Sequence, residues 1–216
     1  PAISAGTYTT NLVKAAPVLW DRKITDSETY VNAIVINSGI ANACTKDEGM
    51  EYCKMSAKKA ADKLGVGESS ILLASTGVIG MQLPIDRICA GIESLSNSLE
   101  QSERAANEAA KAIMTTDTVS KEIAIEFEIS GKPVKMGAMC KGSGMIHPNM
   151  CTMLGFITTD VNISKELLLK ALREDVVDTF NMVSVDGDTS TNDSLIILAN
   201  GLADNEKIVN ENSEEY

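Results

Sequence analysis

One histidine, His147, is all that the 216 residues offer for imidazole chemistry, no C-x-x-C pair occurs, and basic residues are outnumbered 19 to 30 by acidic ones. A single histidine excludes an imidazole metal cluster, and no metal site is expected. A Ser-His-Asp triad would have to rest on a residue that precedes Pro148 in a loop, where a histidine without catalytic duty is the plainer reading. The five cysteines, at 44, 53, 89, 140 and 151, are odd in number and lack zinc spacing. They point to free thiols in a reducing compartment. A net charge of -11 with scattered Lys and Arg argues against nucleic-acid binding, which needs clustered cations. No apolar run approaches the ~20 residues of a membrane span, and no charged-then-apolar leader opens the chain. A cytoplasmic protein without membrane or nucleic-acid partners is expected, and Pro1 and the polar ending NEKIVNENSEEY suggest a piece of something longer.

What is present is a globular composition, 44% hydrophobic and 23% charged. The β-branched run VNAIVIN (31–37) has the pattern of a strand buried on both faces, followed by a small-residue loop, SGIANACT. From Lys46, Met50, Cys53, Ala57, Ala60, Ala61 and Leu64 follow helical spacing up to Gly65, which stands where a helix-ending glycine would. A second buried strand, 71–74, leads into STGVIG. Pro84 fits the first turn of a helix reaching about Leu99, and SERAANEAAKAIM gives another helix. KEIAIEFEIS alternates isoleucine and phenylalanine with glutamate, a strand with one wet face, and Gly131-Lys132 fits a hairpin turn into VKMGAMC. TMLGFITTD precedes a helix capped by Ser164 that turns Leu167, Leu168, Ala171, Leu172, Val176 and Phe180 inward, and SLIILANG is a buried strand. Interleaved strands and helices without repeat or linker predict a mixed α/β protein with helices covering sheet faces, one unit over 1–216.

Several short motifs bear on chemistry. DGDTSTND (186–193) has a calcium-loop beginning, but Thr191 stands at position six and Ile197 at position twelve, so a polar turn fits better. GSG in KGSGM lacks the GK[ST] ending of a phosphate loop. STGVIG (75–80) follows a buried strand and could present backbone N–H groups to an oxyanion, or be an ordinary turn. In KGSGMIHPNMCTMLGF (141–156) a loop rich in glycine and proline runs into an apolar strand at Cys151-Thr152. On residue types alone, Thr152 opens a buried strand. A threonine at a chain terminus, however, can use its own α-amine as base, and an internal one becomes terminal when the preceding bond is cut.

Taken with YTTNLVKAAPV (8–18), VINSGIANACT (35–45), STGVIGMQLP (75–84), IMTTDT (113–118), FNMVSVDGDTSTND (180–193) and LANG (198–201), this segment resembles the ornithine acetyltransferase family, the glutamate N-acetyltransferases of cyclic arginine biosynthesis. The resemblance implies an αββα-type layered sandwich like that of self-processing N-terminal-nucleophile enzymes. It implies self-cleavage between Cys151 and Thr152 into an α part, 1–151, and the start of a β part, 152–216. Thr152 would be the nucleophile, Thr76 and Gly77 the oxyanion hole, and Thr115 and Lys141, with Thr152, the substrate contacts. The acetyl group would pass from N2-acetylornithine to glutamate through acetyl-Thr152. No cofactor is implied beyond acetyl-coenzyme A, which some members use as a second donor.

The residues leave the monofunctional and bifunctional types open. The family usually has alanine where Cys151 stands, and its members are about twice as long, with α and β parts associating further, as a heterotetramer. Two other readings remain: an aminopeptidase or amidase on the same fold, whose acyl-enzyme is hydrolysed by water, and an unprocessed, inactive fragment.

Overall fold

The computed structural model describes residues 1–145 and 153–216. Among them the regular elements run β1 (Ile3–Tyr8), α1 (Ala16–Thr25), β2 (Ala33–Ile40), α2 (Lys46–Leu64), β3 (Ile71–Val78), α3 (Ile85–Ser96), α4 (Glu103–Ala112), β4 (Lys121–Ile129), β5 (Lys132–Lys141), β6 (Leu154–Thr159), α5 (Lys165–Asp178) and β7 (Ser194–Ala199). The helix ends follow side-chain chemistry. Gly65 closes α2 at φ +69°, a left-handed conformation that favours glycine. Ser102 Oγ accepts from Ala105 N at the start of α4, and Ser164 Oγ from Leu167 N at the start of α5, each satisfying a backbone donor that the helix itself leaves unpaired.

Two sheets form the centre. One has five strands in the order β1-β7-β6-β5-β4, antiparallel except for the parallel pair β6–β7; the other is the parallel pair β2–β3. Strand alternation sends every second side chain to each face, and this sets the layers. Ile34, Ile36, Leu72 and Ala74 of the small sheet meet Met139, Leu154, Phe156 and Ile196 of the large one in the core between the sheets. The other face of β2–β3, with Val35, Ile71 and Leu73, is covered by Cys53, Ala57, Ala60 and Ala61 of α2 and by Ile92 of α3. The other face of the large sheet, with Ala5, Leu195 and Ile197, is covered by Leu167, Leu168, Leu172 and Val176 of α5. The order helix, sheet, sheet, helix is the expected αββα sandwich. Burial of each of these leucines contributes about 1.5–3 kcal/mol, so the α5 face alone is a substantial fraction of a domain's net stability.

Five elements differ from the sequence reading. Strand β1 and helix α1 have no counterpart in it. VNAIVIN, read as a strand buried on both faces over 31–37, is β2 over Ala33–Ile40 and is only half-buried, because it forms an edge of a two-stranded sheet. STGVIG, read as a turn after 71–74, continues β3 to Val78, since Ser75–Val78 pair in parallel with Asn37–Ile40. The apolar side of β4 was expected to be dry, yet Ile123 and Ile125 are 64% and 49% exposed. That strand lies at the sheet edge opposite β1, beyond the reach of α5 among the described residues.

Helix α1 does for β3 what a neighbouring strand would. Trp20 Nε1 donates to Ile71 O at 3.0 Å, and Leu73 N donates to Asp21 Oδ1 at 2.7 Å. Asp21 is fully buried and its carboxyl is pushed well above the ordinary range by that burial. Cys53, packed nearby, has its thiol pushed up to about 12 by burial and by Asp21. Cys44, by contrast, is exposed. Native protein treated with iodoacetamide at pH 8 is therefore expected to carry label at Cys44 and none at Cys53 until denaturant is added; peptide mapping that finds Cys53 labelled as fast as Cys44 contradicts this packing.

Candidate active site

One end of the sandwich gathers the C-terminal ends of β3 and β5 and the N-terminal ends of β6 and β7. The register explains the convergence: Lys141 stands opposite Leu154, and Leu154 opposite Ser194. Met139 and Lys141 point to the same face of β5, so Lys141 enters the space between the sheets. There it is 3% exposed, and its ammonium donates to Thr76 Oγ1 at 3.2 Å. Burial pushes the Lys141 ammonium below its ordinary value, against the opposing pull of Asp117 and Asp193. An ammonium carries three donors, and Thr76 takes one; among the described residues the others remain for a ligand, and an anionic ligand suits a desolvated cation best.

Thr76 and Gly77 sit in a part of β3 whose backbone direction is fixed by its neighbours. Ile71 O, Leu73 N and Ser75 O are bonded to Trp20, Asp21 and Asn192, so odd positions direct their polar groups away from β2. Val78 O accepts from Ala41 N, so even positions direct theirs toward it. By this alternation Gly77 N–H faces away from the ladder, toward the site, and Thr76 offers its hydroxyl rather than its amide. Gly77 has φ +126°, and a Cβ there would lie 2.2 Å from both the carbonyl carbon and the oxygen of Gly39, so only glycine fits.

The loop after α4 is stapled to the same place. Asp117 Oδ1 accepts from Gly142 N at 2.8 Å and from Lys121 Nζ at 2.6 Å, Thr115 N reaches Asp117 Oδ2 at 3.4 Å, and Thr116 and Ser143 hydroxyls are 2.5 Å apart. Burial alone would raise the Asp117 carboxyl; the bonds from Lys121, Gly142 and Thr115 hold it below the ordinary range. Thr115 itself is exposed, beside the segment that follows Lys141. Thus Thr76, Gly77, Thr115 and Lys141, 65 residues apart in sequence at the extremes, are brought to one end of the fold. Cys151 and Thr152, and with them His147, lie outside the described residues.

Met153, the residue after Thr152, is described and firmly held. Its N–H donates to Asp193 Oδ1 at 3.0 Å and its carbonyl accepts from Ser194 N at 3.0 Å. Asp193 and its neighbour Asn192 are the residues that the sequence reading missed. DGDTSTND is a polar turn only in its first half; Ser190, Thr191, Asn192 and Asp193 are buried. Asn192 Nδ2 donates to Ala41 O at 2.6 Å and Ser75 O at 2.8 Å, tying the ends of β2 and β3 to the start of β7. Thr9 adds a third chain segment: its hydroxyl donates to Ser190 O at 2.6 Å and its amide to Asp193 O at 3.0 Å. The available signal was four short polar residues set directly against an apolar strand, where each must find a partner if the strand is buried.

Asp193 is fully buried, and its Oδ2 has no hydrogen bond among the described residues. Burial raises its carboxyl to about 8, against the lowering pull of Met153 N, Ser190 and Lys141.

A model of the ArgJ family matches residues 1–216. The chain belongs to the ArgJ family. Arginine biosynthesis bifunctional protein ArgJ 1 of Clostridium acetobutylicum is 56% identical over 214 residues, which are 99% of this chain and 52% of that protein. The chloroplastic ArgJ of Oryza sativa subsp. japonica is 47% identical over 214 residues, 99% of this chain and 46% of that one. The chain therefore spans about half the length of the curated relatives it matches. Among solved structures, the ArgJ of Bacillus halodurans superposes with a TM-score of 0.65 at 39% identity, covering 71% of this chain and 78% of that one. An ornithine acetyltransferase of Mycobacterium tuberculosis, solved in complex with ornithine, gives 0.59 at 30% identity, covering 71% and 79%. The ArgJ sandwich is thus the fold that the sequence implied, and arginine biosynthesis and acyl transfer are the processes in which its relatives are named.

The titration of Asp193 has a measurable consequence for this ArgJ chain. Folded, it keeps its proton to about pH 8; unfolded, it loses it near pH 4. Between these values the folded state binds more protons, so stability falls as pH rises. Asp21 acts with the same sign, carboxyls held below their ordinary range, such as Asp117, act below this window, and Lys141, lowered by burial, acts with the opposite sign toward alkaline pH. Urea-unfolding free energy is expected to fall from pH 5 to pH 8, and to fall less in Asp193→Asn. A parent protein whose stability rises across that window contradicts the assignment.

Proposed function

We propose that the protein transfers an acetyl group from N2-acetylornithine to glutamate through an ester on Thr152, after cutting itself between Cys151 and Thr152. The observation that carries this reading is the buried Lys141–Thr76 contact beside a Gly77 amide turned away from its ladder, one strand from the anchored Met153. A buried ammonium suits the carboxylate that acetylornithine and glutamate share, and a hydroxyl with a neighbouring amide suits an oxyanion.

In this mechanism Thr152 Oγ attacks the acetyl carbonyl while its own α-amine takes the hydroxyl proton. The negative charge that develops on the carbonyl oxygen is met by Thr76 Oγ1–H and Gly77 N–H. Collapse breaks the amide C–N bond, and the α-amino nitrogen of ornithine leaves with the proton. Glutamate then enters, with its carboxylate on Lys141 and its amine toward the ester carbonyl; its attack forms N-acetylglutamate and returns the proton to Thr152 Oγ. Thr115, on the loop stapled to Gly142 and Ser143, supplies a polar contact at the same mouth. The ladder explains why a cut chain would stay together: Met136–Lys141 before the bond pair with Leu154–Thr159 after it, and β1 pairs with β7. The α and β parts would remain one folded unit. Acetyl-coenzyme A as an alternative donor, and further association of the two parts, belong to the same proposal.

A second reading keeps the acyl-enzyme but lets water, rather than an amine, resolve it. The two are separated by incubating purified protein with acetyl-labelled N-acetylornithine, with and without glutamate. Transfer predicts a burst of ornithine, label on the peptide that begins at Thr152, and N-acetylglutamate once glutamate is added. Thr76→Ala is expected to lower the rate by about 10²–10³-fold. Acetate released equally fast with and without glutamate overturns transfer, and label absent from that peptide overturns the nucleophile.

A further inference from the structure

We propose that Asp117 is a positioning residue for the substrate-carboxylate site: its buried carboxylate ties the backbone after Lys141 to that of Thr115 and places a fixed negative charge within electrostatic reach of the Lys141 ammonium. The inference rests on the role of Lys141 under the proposed function.

The β4–β5 ladder ends at Lys121 and Cys140, so beyond it no strand pairing holds the chain around Thr115 against the chain that follows Lys141. Side chains take over there. Gly142 N donates to Asp117 Oδ1 at 2.8 Å, and Lys121 Nζ, bonded to the same oxygen at 2.6 Å, donates to Gly142 O at 3.2 Å. Both backbone polar groups of Gly142 are thus met by one ion pair, as a neighbouring strand would meet them. Asp117 Oδ2 takes the Thr115 amide at 3.4 Å. A single carboxylate therefore sets the spacing of Thr115 and Lys141.

The charge is the second observation. The Asp117 side chain is 0% exposed, whereas that of Lys121 is 41% exposed. An asparagine could accept from Gly142 N without the cost of burying an ion, so a carboxylate in that place has a further task. Three charged or titratable side chains act on the Lys141 ammonium: Asp117 from the loop after α4, Lys121 from β4 and Asp193 from just before β7. Asp193 keeps its proton to about pH 8 and Lys121 adds positive charge, so at neutral pH Asp117 is the anion among the three. Its oxygens are taken by Gly142, Lys121 and Thr115, while Lys141 donates to Thr76. Asp117 thus favours the charged ammonium without occupying it, and the remaining donors stay open to a substrate carboxylate. The residue acts through Lys141 and Thr115 and touches no substrate.

Asp117→Asn is the test, because it keeps an acceptor for Gly142 N and removes the charge. The titration of Lys141 is read by NMR of protein labelled with carbon-13 lysine, its signal assigned as the one lost in Lys141→Arg. Lys141 is expected to lose its proton at lower pH in Asp117→Asn than in the parent. KM for N-acetylornithine and for glutamate is expected to rise about tenfold in the variant with kcat within about threefold, because the two substrates share the carboxylate that Lys141 would bind. Asp117→Glu, which keeps the charge, is expected to return the Lys141 titration close to the parent's. Lys141 titrating alike in the parent and Asp117→Asn, a change confined to kcat, or unfolding of both variants at pH 7 overturns the proposal and leaves Asp117 as a structural residue. A parent protein that forms no N-acetylglutamate overturns the proposed function, and this proposal with it, whereas an active parent whose KM values are unchanged in Asp117→Asn overturns this proposal alone.

Discussion

A lysine ammonium taken out of water between two sheets is costly unless polar groups converge on it, and that requirement organises one end of this molecule. Lys141 comes from the large sheet, and the hydroxyl that meets it, on Thr76, comes from the small one. The contact can form only if β3 ends level with β5, which the Asn192 side chain enforces by binding Ser75 O and Ala41 O at once. The polar end and the apolar middle of the sandwich are therefore coupled. Leu72 and Ala74, which pack against Phe156 and Ile196, lie on the same face of β3 as Thr76.

The same coupling gives the site its rigidity. Gly77 cannot be exchanged because an added side-chain carbon would lie 2.2 Å from the Gly39 carbonyl of β2, with which β3 runs in parallel register up to Ile40 and Val78. A backbone amide held that way does not reorganise when charge develops in front of it, which is the condition under which a hydrogen-bond donor accelerates acyl transfer. The sequence pattern and the catalytic proposal meet in this requirement: a glycine that looked like a turn residue is a strand residue with no room for a side chain.

How far the residues alone reveal this depends on whether the signal is local. Helix α2, its glycine stop, the Ser164 cap and the existence of strand β4 were all legible, because spacing and capping are properties of neighbouring residues. Helix α1 was not, since its ten residues include Pro17 and its main task, covering the β3 edge with Trp20 and Asp21, involves residues 51 and 52 positions away. Thr76, Gly77, Thr115 and Lys141 entered through the resemblance of whole motifs to a family; the residues alone left STGVIG open between an oxyanion-binding segment and an ordinary turn. Asp193 escaped because a run of short polar residues has the composition of a surface turn, and only the partners of Thr9, Ala41 and Ser75 make it an interior one.

The central claim is that the chain is cut so that Thr152 acquires the amine it needs, at a point where the strands on either side of the cut stay paired. N-terminal sequencing of the purified protein tests it most directly. The account predicts two sequences in equal amount, one of them beginning TMLGF, from material that still migrates as one folded species. A single intact polypeptide in fully folded protein, or a new terminus at any other residue, would contradict it.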